Sequence, residues 1–159
     1  MHIRTLLFAV AAGASALALA ACGGGGSSII TPTPGPTCLP NTTQSALVFP
    51  APGATAVPDT ITQIVVAVSS PLPNNTYNLE LQGPSFAGGA AQTSNFLVQI
   101  APSQLPPGSQ VPAFANPTYE QVQLQSTFQV ATQVTGIGIN DPLSTCTPLA
   151  IPSATFTTQ

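Results

Sequence analysis

Asp59, Glu80, Glu120 and Asp141 are the four carboxylates of the chain, and all of them follow position 21. The single basic residue, Arg4, and the single histidine, His2, both precede it. General acid–base chemistry needs a group tuned near neutral pH. After position 21 only these acids, Tyr77, Tyr119 and the cysteines could supply one. Hydrolysis of a glycoside needs two carboxylates facing one cleft, and no spacing here indicates such a pair. Asp59 follows Pro58 and Asp141 precedes Pro142, so both read as turn formers that hydrogen-bond their own backbone. Glu80 sits on an alternating stretch and is expected to face outward. Glu120 follows Tyr119 at a strand start. Serines are abundant, but no histidine is available to activate one. Four scattered acids make a calcium site weak, and sulfur ligands for a metal lack partners. The expectation is a protein without catalytic residues, metal or cofactor. A carboxylate hydrolase stands as the formal alternative.

Cysteines carry the other chemistry. Cys22 follows Leu19-Ala20-Ala21 at the end of an apolar run and precedes Gly23-Gly24-Gly25-Gly26. This stretch resembles the lipobox of bacterial lipoprotein precursors, in which small residues mark the cut and the cysteine receives lipid. The resemblance implies removal of residues 1–21, with Leu19, Ala20 and Ala21 as the cleavage motif and Cys22 as the acylated residue. The export reading also follows from the residues themselves: His2 and Arg4 precede an apolar run over residues 6–19. An ordinary secretory cut is the rival, because Ala18-Leu19-Ala20 also fits a small-x-small site. Gly23 is not aspartate, which by resemblance to enterobacterial sorting implies an outer-membrane or cell-surface destination. With Cys22 claimed by lipid, Cys38 and Cys146 remain. An even pair in an exported protein reads as one disulfide; two free thiols are the alternative.

The elements that position these residues are short. Residues 22–37 form a linker, flexible over Gly23-Gly24-Gly25-Gly26-Ser27-Ser28 and stiffer over Thr31-Pro32-Thr33-Pro34-Gly35-Pro36. Fully extended it reaches about 40 Å, at ~3 Å per residue. From residue 38 to 159 apolar runs alternate with Pro, Gly and Asn. Residues 61–69 are β-branched and apolar on both faces, as in a central strand. Tyr77, Leu79 and Leu81 alternate with Asn78, Glu80 and Gln82, which predicts an amphipathic strand with the tyrosine in the core. Phe96, Val98 and Ile100 are expected to form another inward set. Residues 101–117 hold five prolines, too many for a strand interior, and read as a long loop or a broken edge strand. Phe128, Val130, Thr132 and Val134 alternate with polar or small neighbours as a further strand. Gly136-Ile137-Gly138-Ile139 is read as short and kinked, and residues 147–151 and 154–158 make the last two runs. No stretch has a capped 3.6-residue period.

About seven to nine short strands punctuated by turns predict an all-β, single-domain β-sandwich over residues 38–159. Residues 47–72, LVFPAPGATAVPDTITQIVVAVSSPL, resemble the opening of bacterial Ig-like domains, and Ala154-Thr155-Phe156-Thr157-Thr158 resembles the closing strand of Ig-like and fibronectin type III domains. The resemblance implies an Ig-like fold and a non-catalytic display or interaction module held to the membrane through lipid on Cys22. The alternative is a carbohydrate-binding or adhesive module using an uncharged sheet face of Gln, Asn, Thr and Tyr. Its partner is an unknown protein or glycan. Without lysine or arginine after position 21, nucleic acid is not expected as a partner.

Overall fold

Strand boundaries follow the turn residues closely. A computed structural model describes residues 38–73, 75–87 and 96–159. The proposed signal, the Leu19-Ala20-Ala21-Cys22 motif and the linker therefore lie outside the described residues. Among the described residues ten strands run in chain order: β1 (Ser45–Phe49), β2 (Ala54–Val57), β3 (Gln63–Val68), β4 (Asn78–Gln82), β5 (Val98–Ile100), β6 (Thr118–Gln123), β7 (Gln133–Val134), β8 (Gly136–Asn140), β9 (Leu149–Ile151) and β10 (Phe156–Thr158). The count exceeds the expected range because two longer strands are interrupted. Only Thr135 separates β7 from β8, and residues 152–155 separate β9 from β10, with Ser153 at φ 53°.

One sheet has the order β1-β3-β6-β5. A second has β4-β8-β9 and a third β2-β10-β7. The last two share the interrupted strands: Ile137 pairs with Ile151 and Val134 with Phe156. Strand β10 also pairs with β2 in parallel, bringing the first and last parts of the domain side by side. Inward residues of both layers meet in one core. Leu47, Ile64, Val66, Val68 and Val122 come from the first sheet; Leu79, Ile137, Ile139, Ile151 and Phe156 come from the others. The protein is an all-β sandwich.

Strand β3 lies between β1 and β6, and Ile64 to Val68 are all buried. Such burial on both faces needs a cover on the outside. Residues 101–117 provide it: Ile100, Leu105 and Phe114 pack on a second cluster of Val48, Val65, Ala67 and Tyr119. The Gln110 amide donates to the Val48 carbonyl at 2.8 Å, pinning the loop to the β1 edge. A short 3-10 turn, Pro102–Gln104, starts this segment. Its prolines thus sit in an overlying strap and cost no ladder bonds.

Two expectations are corrected. Phe96, Val98 and Ile100 do not form an inward set. Phe96 and Val98 are 50% and 63% exposed, while Leu97 between them is buried. The chain changes sheets here. Phe96 bridges Asn78 on β4, the Leu97 amide donates to the Tyr77 carbonyl, and Val98 begins the ladder with β6. Residues 128–134 are not a single strand either. Val130 is 68% exposed, and Ala131 takes φ 57°, so a turn precedes the two residues of β7.

Candidate binding face

Cross-strand partners project to the same face of a sheet, so the register of β4, β8 and β9 defines the outer surface row by row. Leu79, Ile137, Ile139 and Ile151 turn into the core. The alternate positions turn outward. In the first row Phe96 bridges Asn78, which pairs with Asn140. In the second Glu80 pairs with Gly138, which pairs with Ala150. In the third Gln82 pairs with Gly136. Gly138 lies buried at the bottom of this face between Glu80 and Ala150, and the Gln82 side-chain oxygen stands over Gly136. Amides and one carboxylate border the face, and an exposed aromatic ring stands at one end.

The fold does not require the central glycine. Gly83 shows what a required glycine looks like. It has φ +87°, and an added Cβ would meet the Thr135 hydroxyl at 2.9 Å and the Gln133 carbonyl at 3.0 Å. Gly138 has no left-handed φ, and an added Cβ would meet only the Leu149 carbonyl, at an ordinary 3.8 Å. At Gly136 the obstruction is the Gln82 Oε1 at 2.8 Å, the far end of a flexible side chain. Glycine inside a strand costs order and packing, and it commonly marks close approach by a ligand or another backbone.

The acids do not gather. Asp141 is buried in the β8–β9 turn, where its Oδ1 accepts from the Thr76 hydroxyl at 2.9 Å and the Leu143 amide at 3.1 Å. This is the turn role expected for it. Asp59 joins strand ends through its backbone, its carbonyl accepting from the Phe128 amide at 3.1 Å. Glu80 is exposed on the outer face of β4. Glu120 pairs with Val66 in register and therefore turns to the inner side of the other sheet, where it is 3% exposed. Burial raises its carboxyl to about 7. Composition alone could not reveal that, because the flanking Tyr119 and Gln121 give no sign of which face is covered. Among the described residues no group of three or more His, Cys, Asp or Glu could hold a metal ion.

Both tyrosines are buried, Tyr77 in the main core and Tyr119 under the strap. Burial, and then the nearby Asp141 carboxylate, raise the Tyr77 phenol. Tyr77 lies in the core, as its alternation with Leu79 and Leu81 predicts, and neither tyrosine supplies an aromatic to an uncharged sheet face; the surface aromatic is Phe96. Sequence reading missed it because the switch between sheets falls inside an apparently regular alternation.

Cys38 and Cys146 form a disulfide with Cα atoms 5.5 Å apart. It joins the first described residue to the β9 side of the β8–β9 turn. The Ser144 hydroxyl donates to the Asp141 carbonyl and accepts from the Cys146 amide. The link therefore ends in a hydrogen-bonded turn.

A groove of about 440 Å³ runs along the β5–β6 end between Gln99, Pro102, Pro117 and Tyr119. It is the seam between strap and sheet and gathers no carboxylate. No protein-family model, no curated protein and no solved structure matches the chain.

Proposed function

We propose that the protein is exported and lipid-anchored, and that its sandwich is a non-catalytic interaction module binding through the outer face of β4, β8 and β9. The observation that carries this reading is Gly138, a glycine in a central strand position that the chain's own packing does not require. Several features support the remainder. The orders β1-β3-β6-β5 and β4-β8-β9 correspond to the A-B-E-D and C-F-G orders of Ig constant-type sandwiches, which favours the Ig-like assignment. The Leu19-Ala20-Ala21-Cys22 motif favours acylation at Cys22 and an outer-membrane or cell-surface location. The separation of Glu80 and Glu120 onto different sheets, one outward and one inward, speaks against a paired-carboxylate hydrolase.

The test is binding of the purified full chain to envelope fragments from the cells that make it. Gly138→Val, which raises the floor of the face, is expected to lower the bound fraction about tenfold. Val111→Ser on the opposite strap, where Val111 is 69% exposed, leaves it unchanged. Equal binding of wild type and Gly138→Val, or no binding, contradicts the reading. Intact-mass measurement addresses the anchor separately: the mature chain should begin at an acylated Cys22, and an unmodified N-terminus there contradicts it.

A further inference from the structure

We infer that the ligand of this face is a neutral saccharide chain, lying over Gly138 with one sugar ring against Phe96. The inference rests on the proposal that this face is the binding surface. Four observations narrow the chemistry. The first is charge. No Lys, Arg or His occurs in residues 22–159, and Glu80 stands beside the floor. An anionic ligand would find no counter-charge and one repelling carboxylate.

The second is the scarcity of apolar surface at the centre. A protein partner is held mainly by a dehydrated apolar centre inside a polar rim. Here the arrangement is reversed. The centre is the backbone of Gly138, and the large apolar group, Phe96, stands at the edge. A second copy of the chain would also bring Glu80 against a like surface.

The third is the set of hydrogen-bonding groups. Asn140 and Gln82 each carry an amide donor and acceptor, and the Glu80 carboxylate adds acceptors. Such groups match neighbouring hydroxyls that donate and accept in turn.

The fourth is Phe96 itself, half exposed and held by its bridge to Asn78. Its ring presents a flat apolar surface with a negative face, suited to the C–H face of a pyranose. A polymer passing from Phe96 across the glycine floor meets the apolar surface first and the hydroxyl partners next.

The experiment titrates the full chain with cello-, chito-, manno- and xylo-hexaose, using heparin and oligogalacturonate hexasaccharides as acidic counterparts. At least one neutral hexaose is expected to bind saturably, and the acidic ones at least about tenfold more weakly. Phe96→Ala and Gly138→Val should each weaken that binding about tenfold or more, and Glu80→Gln severalfold, with thermal midpoints unchanged or raised. Because Phe96 is exposed and a Cβ at Gly138 meets only an ordinary 3.8 Å contact, a loss of binding at an unchanged thermal midpoint is not a loss of folding. The inference is overturned if no neutral hexaose binds, if Phe96→Ala and Gly138→Val both bind within about twofold of wild type, or if the acidic sugars bind equally. Face-dependent binding to envelope fragments that protease treatment of the fragments abolishes also overturns it, while leaving the binding face itself intact.

Discussion

Glu120 is almost fully buried, opposes Val66 across the β3–β6 ladder, and has no Lys, Arg or His in residues 22–159 to pair with. Burial therefore acts on its charge without opposition and raises its carboxyl from the ordinary 4.5 to about 7. In the unfolded chain the same carboxyl ionises near its ordinary value. Between these two pH values the folded state holds more protons than the unfolded state, so stability falls as pH rises. The contribution is greatest below about pH 4.5 and is lost once pH passes about 7, a span of about 3 kcal/mol at most. Chemical denaturation from pH 4 to 8 should show this fall, and Glu120→Gln should flatten it. A Glu120→Gln variant with the wild-type pH slope would assign the slope to another group. Glu80, on the outer face of β4, is exposed. Two carboxylates on alternating strands thus differ because one strand face is covered and the other is open.

At the scale of elements, the β7–β10 end is held by rings. Phe128 stacks on Phe86 with centroids 5.0 Å apart and meets Phe156 edge-on at 5.7 Å. Phe128→Ala should cost about 3–5 kcal/mol in equilibrium unfolding, because a fully buried ring leaves a cavity that three separate segments cannot close. A loss below about 1 kcal/mol would mean that these segments collapse readily. Much of this element structure could be read beforehand. The continuous β-branched run at Ile64 to Val68 signalled a strand covered on both sides, and the alternation from Tyr77 to Gln82 signalled the open face of β4. The proline-rich stretch 101–117 was legible as non-strand, but its packing on Val48, Val65 and Tyr119 was not, since Leu105 and Phe114 carry no periodic signal. The alternation at Phe96, Val98 and Ile100 misled because period two reports a face only while the chain stays in one sheet. The glycines of β8 suggested a kink, whereas Gly136–Asn140 pairs with β4 and β9 without a register shift. Their role as the floor of a surface became visible only once the β4 and β9 neighbours were in register.

At the scale of the whole molecule, the first described residue is tied to the β8–β9 turn. The Cys38–Cys146 bond closes a segment with a sequence separation of 108. In the chain-entropy model, closing so long a loop is worth roughly 4–5 kcal/mol, less any native-state strain. Cys146→Ala should therefore lower the thermal midpoint substantially while leaving the β4-β8-β9 face in place. A midpoint within about 2 °C of wild type would show that the folded state gains little from the link. If residues 22–37 are the proposed tether, the same bond brings the tether's entry point to the β8–β9 turn, beside Asn140 at the rim of the binding face. The strap lies on the opposite side of the sandwich from the β4-β8-β9 face. The claim on which this organisation depends is that Gly138 is kept for a ligand and not for the fold. Gly138→Ala tests it when stability and envelope binding are measured on the same preparation. The account predicts a gain of about 0.5–1 kcal/mol in unfolding free energy, because the added methyl group meets no close contact, together with weaker binding. A variant that is less stable, or that binds as wild type does, would contradict it.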